Sequence, residues 1–439
     1  MKDNIKNAII TVGIPVMLQN FFETTYSLAD SMMLANLSEK TFAGVNLVNQ
    51  ILFILLLIIY GINTALLSNI ANAKEHKLNY KKYVGIGITF ALIVATIFLG
   101  VLKIFQYEII TMFVNTSESE VIYSAIRYMN IASIGYLISC VSVAYLILCR
   151  GLKIAKYAAD AVAISLLVNI VLNYLFIFKL GYGIEGAAVA TVIAKIIELV
   201  LVVKLVNKAE KVKIRELFTF TREEFNTQII NNAIPNSIAE GLHVIIGLIV
   251  TYVVSRHGIE KLIAFQFAIT IYGFFRFISA GIANSSQVVI ASAEKDNIIR
   301  LLKEFSKIGL IGGFICSGLM NLLVYPYSYI SNISNETFGM VINYILILTP
   351  IMIIYPIGSV LVRGGLRGIN QSRYILKTNV ISKYIIGLTL MFLLELTVKN
   401  VVLTVFMYYL VTEIVQGYLA YRKLEKEVRN LNNDYIMEV

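Results

Sequence analysis

The chain has 439 residues, of which 58% are hydrophobic and 15% are charged, and its mean hydropathy is +0.77. Soluble domains have about 25% charged residues, so this composition excludes a soluble globular protein and indicates a polytopic membrane protein. A net charge of +10 could suggest nucleic-acid binding, but the basic residues lie in the links between apolar stretches. We therefore expect the lipid bilayer, and no nucleic acid, as a partner.

Apolar stretches long enough to cross a hydrocarbon core of about 30 Å recur along the whole chain. They predict an all-α polytopic membrane protein with twelve transmembrane helices. The basic start of the chain leads directly into the first span without a small-residue cleavage site, so we expect that span to be retained. The predicted spans are residues 8–36, 42–71, 84–106, 122–149, 157–178, 184–206, 226–255, 261–291, 306–330, 338–362, 378–398 and 400–421.

Lysine and arginine residues are divided unequally between the two sides of the predicted membrane. With the N-terminus inside, 27 lie in inner segments, six lie in outer segments and four lie within helices. The positive-inside bias therefore predicts a multi-pass protein of the cytoplasmic membrane with both termini in the cytoplasm. The three cysteines lie in or at the ends of apolar segments, which favours unpaired packing residues over a disulfide or metal framework.

The chain contains an internal repeat. The stretch "IPVMLQN" at 14–20 matches "IPNSIAE" at 234–240, and "GINTALLSNIANAKE" at 61–75 matches "GIANSSQVVIASAEK" at 281–295, both at an offset of 220 residues. An even number of helices per repeat keeps both halves in one orientation, so we expect two six-helix bundles related by a pseudo-twofold axis along the membrane normal. The predicted domains are 1–206 (first bundle), 207–225 (cytoplasmic linker), 226–421 (second bundle) and 422–439 (cytoplasmic tail).

Two carboxylates lie in the first predicted span. Glu23 and Asp30 are seven residues apart, and at 3.6 residues per turn they return to nearly the same helix face, with Tyr26 between them. Burying an ionisable group in a membrane costs a few kcal/mol or more unless it faces a cavity or a partner. The stripe therefore predicts a functional site, with a carboxylate held in a structural hydrogen bond as the alternative.

Polar partners for these carboxylates can be proposed from residues 166–198. Asn169 and Asn173 lie four apart on one helix face, and Thr191 lies in the next helix, after the small residues "GAAVA" that permit close helix approach. One carboxylate, two amides and a hydroxyl supply oxygens for a hard cation, or donors and acceptors that hold a protonated acid.

Several motifs together resemble the multidrug and toxic compound extrusion (MATE) family: "IPVMLQNFFETTYSLADSMMLANLSEKTFAGVN", "CRG", "LRG" and "NIVLNYLFIFKLGYGIEGAAVAT". The resemblance covers nearly the whole chain. It implies a secondary active antiporter that exports amphipathic, cationic or zwitterionic drugs and toxic compounds in exchange for H⁺ or Na⁺ by alternating access. It implies a cation or proton coupling site, open to a transient Na⁺, with Asp30 as the coupling carboxylate. The implied residues are Asp30, Asn169, Asn173 and Thr191 for coupling, and Glu23, Tyr26 and Tyr128 for the substrate cavity.

The sequence departs from the family pattern at two places. Asn173 stands where many relatives have an aspartate, so the identity of the coupling ion stays open. Glu240, five residues after Pro235, matches the acid that some relatives have in the second bundle. Because the tenth predicted helix lacks the accompanying carboxylate, we do not expect a complete sodium site there.

Other ionisable residues lie in the predicted spans of the second half. Glu240 and His243 are three apart and could form a proton relay or a structural hydrogen bond facing the substrate cavity. Arg276 could be their counter-charge or could bind an anionic substrate. In the first half, Lys195 and Glu198 have the spacing of a local ion pair.

Alternative functions are less favoured by the sequence. A flippase for lipid-linked saccharides would need a more cationic cavity, and few basic residues lie within the predicted spans. An intramembrane enzyme is a distant alternative, because the H-E-x-x-H and G-x-S-x-G motifs are missing. The P-loop motif is missing as well, so we expect transport driven by an ion gradient. We also expect a monomer without a cofactor or resident metal.

Overall fold

The computed structural model describes residues 2–35, 39–111, 119–330 and 335–437, and within these ranges some side chains, that of Asp30 included, lie outside the description. The described residues form helices and contain no strand, which confirms the all-α prediction. Within these ranges lie twelve long helices: α1 (Ile14–Ala35), α2 (Glu39–Glu75), α3 (Lys81–Ile104), α4 (Ser119–Gly151), α5 (Ala155–Asn173), α6 (Gly183–Glu210), α7 (Ile234–Ser255), α8 (Ile259–Ala291), α9 (Ile298–Ile330), α10 (Asn335–Ser359), α11 (Ser372–Thr397) and α12 (Val401–Met437).

Eleven helical segments of the described residues are long and apolar enough to cross a membrane. They cover every predicted span except the sixth, where the structure has the 28-residue helix α6. At 1.5 Å per residue, a helix of that length measures about 42 Å, more than the thickness of a hydrocarbon core. The predicted count of twelve is therefore consistent with the structure.

Large apolar side chains cover much of the outer surface of these helices. Ile97, Ile104, Leu322 and Leu396 are each more than 60% exposed. A soluble protein rarely leaves so many large apolar groups in contact with water, whereas a bilayer solvates them.

The internal repeat is visible in the backbone at two helix starts. The chain is π-helical over Ile9–Gly13, before α1, and over Ile229–Ala233, before α7. A proline follows each segment by two residues, at Pro15 and Pro235. Because proline has no N–H, the regular α-helical hydrogen bonds are interrupted there, and a wider turn accommodates the gap. The two π-helical segments are 220 residues apart, which is the offset of the sequence repeat.

The helices form two compact units. Unit N consists of residues 18–237, and unit C consists of residues 1–17 together with 238–439. The predicted boundaries assign the whole of α1 to the first bundle and the whole of α7 to the second bundle. The structure divides these helices differently, because residues 1–17 belong to unit C and residues 226–237 belong to unit N.

Close contacts at glycine explain this division. In unit C, a Cβ on Gly281 would lie 2.5 Å from the carbonyl oxygen of Gly13. In unit N, a Cβ on Gly61 would lie 2.7 Å from the Cα of Ser237, and Asn236 donates a 2.6 Å hydrogen bond to the carbonyl of Gly61. Glycines allow backbones to approach this closely in membranes. Gly61 and Gly281 are 220 residues apart, so both halves of the repeat use the same position for this contact.

Each unit has its own apolar core. In unit N, Val48, Leu52 and Tyr128 are buried in one cluster. In unit C, Phe265 and Leu348 are buried in another.

The link between the two repeats is tied to unit N. Lys81 Nζ lies 2.5 Å from Glu216 Oε2, and the hydrogen bond from this ammonium lowers the pKa of the Glu216 carboxyl group. A Cβ on Gly85 would lie 1.8 Å from the carbonyl oxygen of Leu217, so the backbone of the link rests directly on α3. The glycine at position 85 therefore makes room for the link.

Candidate functional site

Unit N contains a cavity of about 420 Å³. That volume lies within the usual range for sites that bind small molecules. Residues of α1, α2, α4, α5 and α6 form its wall, which combines apolar and aromatic surface with a few ionisable groups. The lining residues with polar groups are Glu23, Tyr26, Asn49, Gln50, Tyr60, Tyr128, Tyr136, Ser139, Thr191, Lys195 and Glu198. The three residues that the resemblance assigned to a substrate cavity, Glu23, Tyr26 and Tyr128, thus share one wall.

Glu23 belongs to a chain of hydrogen bonds. Its Oε1 accepts from Gln19 Nε2 and from the Tyr60 hydroxyl, each at 2.9 Å. Gln19 in turn accepts from Arg150 Nη2 at 2.9 Å. Two donors therefore fix the carboxylate on the cavity wall, and a buried guanidinium group stands behind them. These partners could not be found from the sequence, because Arg150 lies 131 residues from Gln19 and directly follows the fourth predicted span.

Lys195 connects two other groups of the same cavity. Its Nζ lies 2.8 Å from Glu198 Oε2 and 5.3 Å from the centre of the Tyr26 ring. The structure confirms the ion pair that the i, i+3 spacing predicted. Two carboxylates, Glu23 and Glu198, stand against the single ammonium of Lys195, so the described lining residues give the cavity a formal net negative charge.

Three of the four predicted coupling residues lie together. Asn173 Nδ2 donates to Asn169 Oδ1 at 3.1 Å, and Asn169 Nδ2 lies 3.5 Å from Thr191 Oγ1. Both amides are fully buried on α5, and Thr191 lines the cavity from α6. Amide and hydroxyl oxygens are hard donors that suit Na⁺, and the same groups can hold a protonated acid. The side chain of Asp30, the fourth predicted member, lies outside the described residues.

Within the described ranges, no group of three or more histidine, cysteine, aspartate and glutamate side chains could hold a metal ion. Cys140, Cys149 and Cys316 are buried and form no disulfide.

Unit C contains a smaller cavity of about 40 Å³. The three residues predicted for the second half, Glu240, His243 and Arg276, all line it. Five further ionisable groups lie on its wall that sequence reasoning did not place there. They are Tyr355, Arg363, Arg367, Lys383 and Glu413.

Glu240 pairs with arginines. Arg367 donates to its Oε1, and Arg363 Nη2 lies 3.6 Å from its Oε2. Both arginines follow the tenth predicted span and were counted among the 27 basic residues of the inner segments, whereas the backbone continues as a π-helical segment over Val360–Leu366. The four-residue spacing of the two arginines, which puts them on one helix face, was the available signal.

His243 lies between two basic side chains. Lys383 Nζ is 2.9 Å from its Nδ1, and Arg276 Nη2 is 3.3 Å from its Nε2. Arg276 also donates to the Tyr355 hydroxyl at 2.6 Å. Glu240 and His243 thus contact different basic side chains, all of them distant in sequence, and the predicted proton relay stays a prediction.

Comparisons with known proteins agree with this architecture. A family model, MatE, matches residues 15–175. The chain is 25% identical to the multidrug resistance protein NorM of Vibrio vulnificus, over 89% of this chain and 88% of that protein. Among solved structures, the MATE transporter VcmN of Vibrio cholerae has a TM-score of 0.88 at 16% identity, covering 98% of both chains.

A MOP superfamily transporter from Pyrococcus furiosus shares the fold as well, with a TM-score of 0.82 at 19% identity over 95% of each chain. Reverse polarity of its binding pocket suggests a different function for that protein. Likenesses at this level of identity concern the fold. Taken with the family model over residues 15–175 and the NorM relatives, they show that the chain is similar to MATE transporters along nearly its whole length.

Proposed function

We propose that the protein is a secondary active antiporter of the cytoplasmic membrane that exports amphipathic, cationic or zwitterionic drugs and toxic compounds in exchange for H⁺ or Na⁺. The cavity of unit N carries this proposal. Its volume suits a small molecule, its wall has aromatic and apolar surface, and its ionisable lining residues have a net negative charge. The NorM relatives, which are named multidrug resistance proteins, support the same substrate class.

The recognition of a cation would rely on two kinds of group in this cavity. The fixed carboxylate of Glu23 supplies a negative charge. The rings of Tyr26 and Tyr128 supply π surface, on which a cation or an apolar ring can lie. Lys195 already lies near the Tyr26 ring, so an incoming cation would have to displace it or bind beside it.

Coupling to an ion gradient is proposed for Asp30 with Asn169, Asn173 and Thr191. Asp30 lies on α1, the helix that also carries Glu23. The amide and hydroxyl groups of the other three can hold either the protonated acid or a sodium ion beside the carboxylate. Each exchange changes the local charge by one unit, which is worth about 4 kcal/mol at 4 Å with an effective dielectric constant of about 20. That energy is sufficient to bias one conformation over another in alternating access.

Gradient-driven transport of ethidium, a lipophilic cation, by the variant Asp30→Asn in proteoliposomes tests this coupling mechanism. Asn cannot exchange a proton and has no charge for a sodium ion, so we expect a folded protein without gradient-driven transport. Asp160→Asn, the same change on α5 away from the cavity lining, is the matched control and should transport normally. A pH gradient and a sodium gradient, imposed in turn, identify the coupling ion. Gradient-driven transport that survives in Asp30→Asn would refute this coupling mechanism.

A flippase for lipid-linked saccharides is the second candidate. The sequence favoured the antiporter over the flippase because few basic residues lie within the predicted spans. In the structure, however, four basic side chains line the cavity of unit C. Translocation of a lipid-linked saccharide in the same proteoliposomes, without saturable ethidium transport, would favour the flippase.

A further inference from the structure

The cavity of unit C has an excess of positive charge. Three arginines and one lysine line it against two carboxylates, which leaves two positive charges while His243 is neutral. The cavity of unit N has the opposite sign. The two cavities therefore favour groups of opposite charge. The basic residues of the unit C cavity are Arg276, Arg363, Arg367 and Lys383, and the acidic residues are Glu240 and Glu413.

The positive charge is unevenly distributed on the wall of this cavity. Glu240 neutralises the side of the wall that carries Arg363, within the π-helical segment, and Arg367, directly after it. Within the part of the chain that the structure describes, the ion pairs do not join Glu413 to Arg276 or to Lys383. Lys383 and Arg276 instead contact His243, which carries no negative charge, and Glu413 lines the same cavity.

The contacts of His243 show a shortage of hydrogen-bond acceptors at this point. Lys383 approaches one ring nitrogen at 2.9 Å and Arg276 approaches the other at 3.3 Å. Lysine and arginine only donate, and a neutral imidazole has a single accepting nitrogen. The ring can therefore accept from one of these two cations but not from both. Tyr355 accepts a further hydrogen bond from Arg276 at 2.6 Å.

We propose that this cavity binds an anionic group, a carboxylate or a phosphate, between Lys383 and Arg276. Such a group would supply the missing acceptor oxygens and neutralise the excess charge, and arginine binds oxyanions of this kind well. A volume of about 40 Å³ admits the anionic end of a molecule but not a drug-sized body. The ligand is therefore a small free anion or the head of an amphiphile that extends out of the cavity. The proposal concerns binding only and does not depend on the coupling proposed for Asp30.

The test is equilibrium binding to the purified full-length protein in detergent, measured by isothermal titration calorimetry. The probes are hexyl phosphate, inorganic phosphate and hexyltrimethylammonium, which has the same alkyl chain with a positive head. We expect hexyl phosphate to bind, and Lys383→Met and Arg276→Gln each to weaken its binding at least tenfold. Lys307→Met, the control change on the exposed surface of α9, should leave the affinity unchanged.

The two phosphates distinguish the sources of the anion. Comparable affinities would identify a free anion as the ligand, whereas binding of hexyl phosphate alone would identify the head of an amphiphile. Gel filtration and thermal unfolding establish which variants are folded, and Arg276→Gln decides the matter if Lys383→Met does not fold. The proposal is overturned if neither phosphate binds, if hexyltrimethylammonium binds equally well at this site, or if the folded variants bind hexyl phosphate like the unmodified protein.

Discussion

Tyr60 donates a 2.9 Å hydrogen bond to Glu23 Oε1, although the two residues lie on different helices of unit N. We expect Glu23→Gln to raise the apparent KM for ethidium about tenfold, because losing a cavity charge that contributes about 1.4 kcal/mol has this effect. Tyr60→Phe keeps the charge and should have a smaller effect. Initial rates in proteoliposomes at several ethidium concentrations measure both. Dependence on the ion gradient should persist in each variant, and an unchanged KM in Glu23→Gln would remove this residue from the substrate site.

The close contact at Gly61 predicts a stability effect. A Cβ at this position would meet the Cα of Ser237 at 2.7 Å, so Gly61→Ala must shift the backbone of one helix. We expect a loss of about 1–3 kcal/mol, as for other overpacked sites, and a lower melting temperature. Gly318→Ala is the matched control, because a Cβ there has no neighbour within 4 Å. Equal melting temperatures for the two variants would contradict the close packing at Gly61.

The distribution of basic residues predicts that the link between the two repeats lies on the cytoplasmic side of the membrane. Lys211 and Lys399 both end helices in the left-handed conformation and are exposed, yet the first lies in a predicted cytoplasmic link and the second on the predicted outer side. An impermeant maleimide applied to intact cells should therefore label Lys399→Cys and not Lys211→Cys. The three native cysteines are buried and give little background. The reverse pattern of labelling would invert the topology.

The pKa of Glu216 predicts how the link responds to acid. Its pKa is lowered by the hydrogen bond from Lys81, so the folded state favours the ionised carboxylate. A lowered pKa gives stability that is present above the ordinary value of 4.5 and is lost as the pH falls through the lower, folded value. Hydrogen exchange of the Ile214–Leu217 amides, corrected for intrinsic rates, should show constant protection from pH 7 to pH 5 and a loss below pH 4.5. Lys81→Gln should reduce the protection already at pH 7.

Local spacing allowed some of the sites to be predicted. Asn169 with Asn173 and Lys195 with Glu198 are three or four residues apart, so helix geometry alone brings each pair together. The partners of Glu240 could not be found in this way, because Arg367 lies 127 residues away and its contact depends on how α7 packs within unit C.

The boundaries of the two units were not predicted for a related reason. The repeat indicated equivalent helices, and it located Gly61 and Gly281 at equivalent positions. The repeat does not specify whether the start of α1 packs against Gly61 or against Gly281, because the two halves have a glycine at the same position. That choice depends on contacts between segments far apart in the chain.

The contact between Gly13 and Gly281 affects the order in which the protein can fold during synthesis. Unit N is complete once residue 237 has been made, whereas unit C combines residues 1–17 with residues 238–439. The ribosome must add 268 residues after Gly13 before Gly281 exists. At a translation rate of about 5–20 residues per second, Gly281 is synthesised on the order of ten seconds to a minute after Gly13. A segment that is translated before unit N is thus among the last to reach its final contacts.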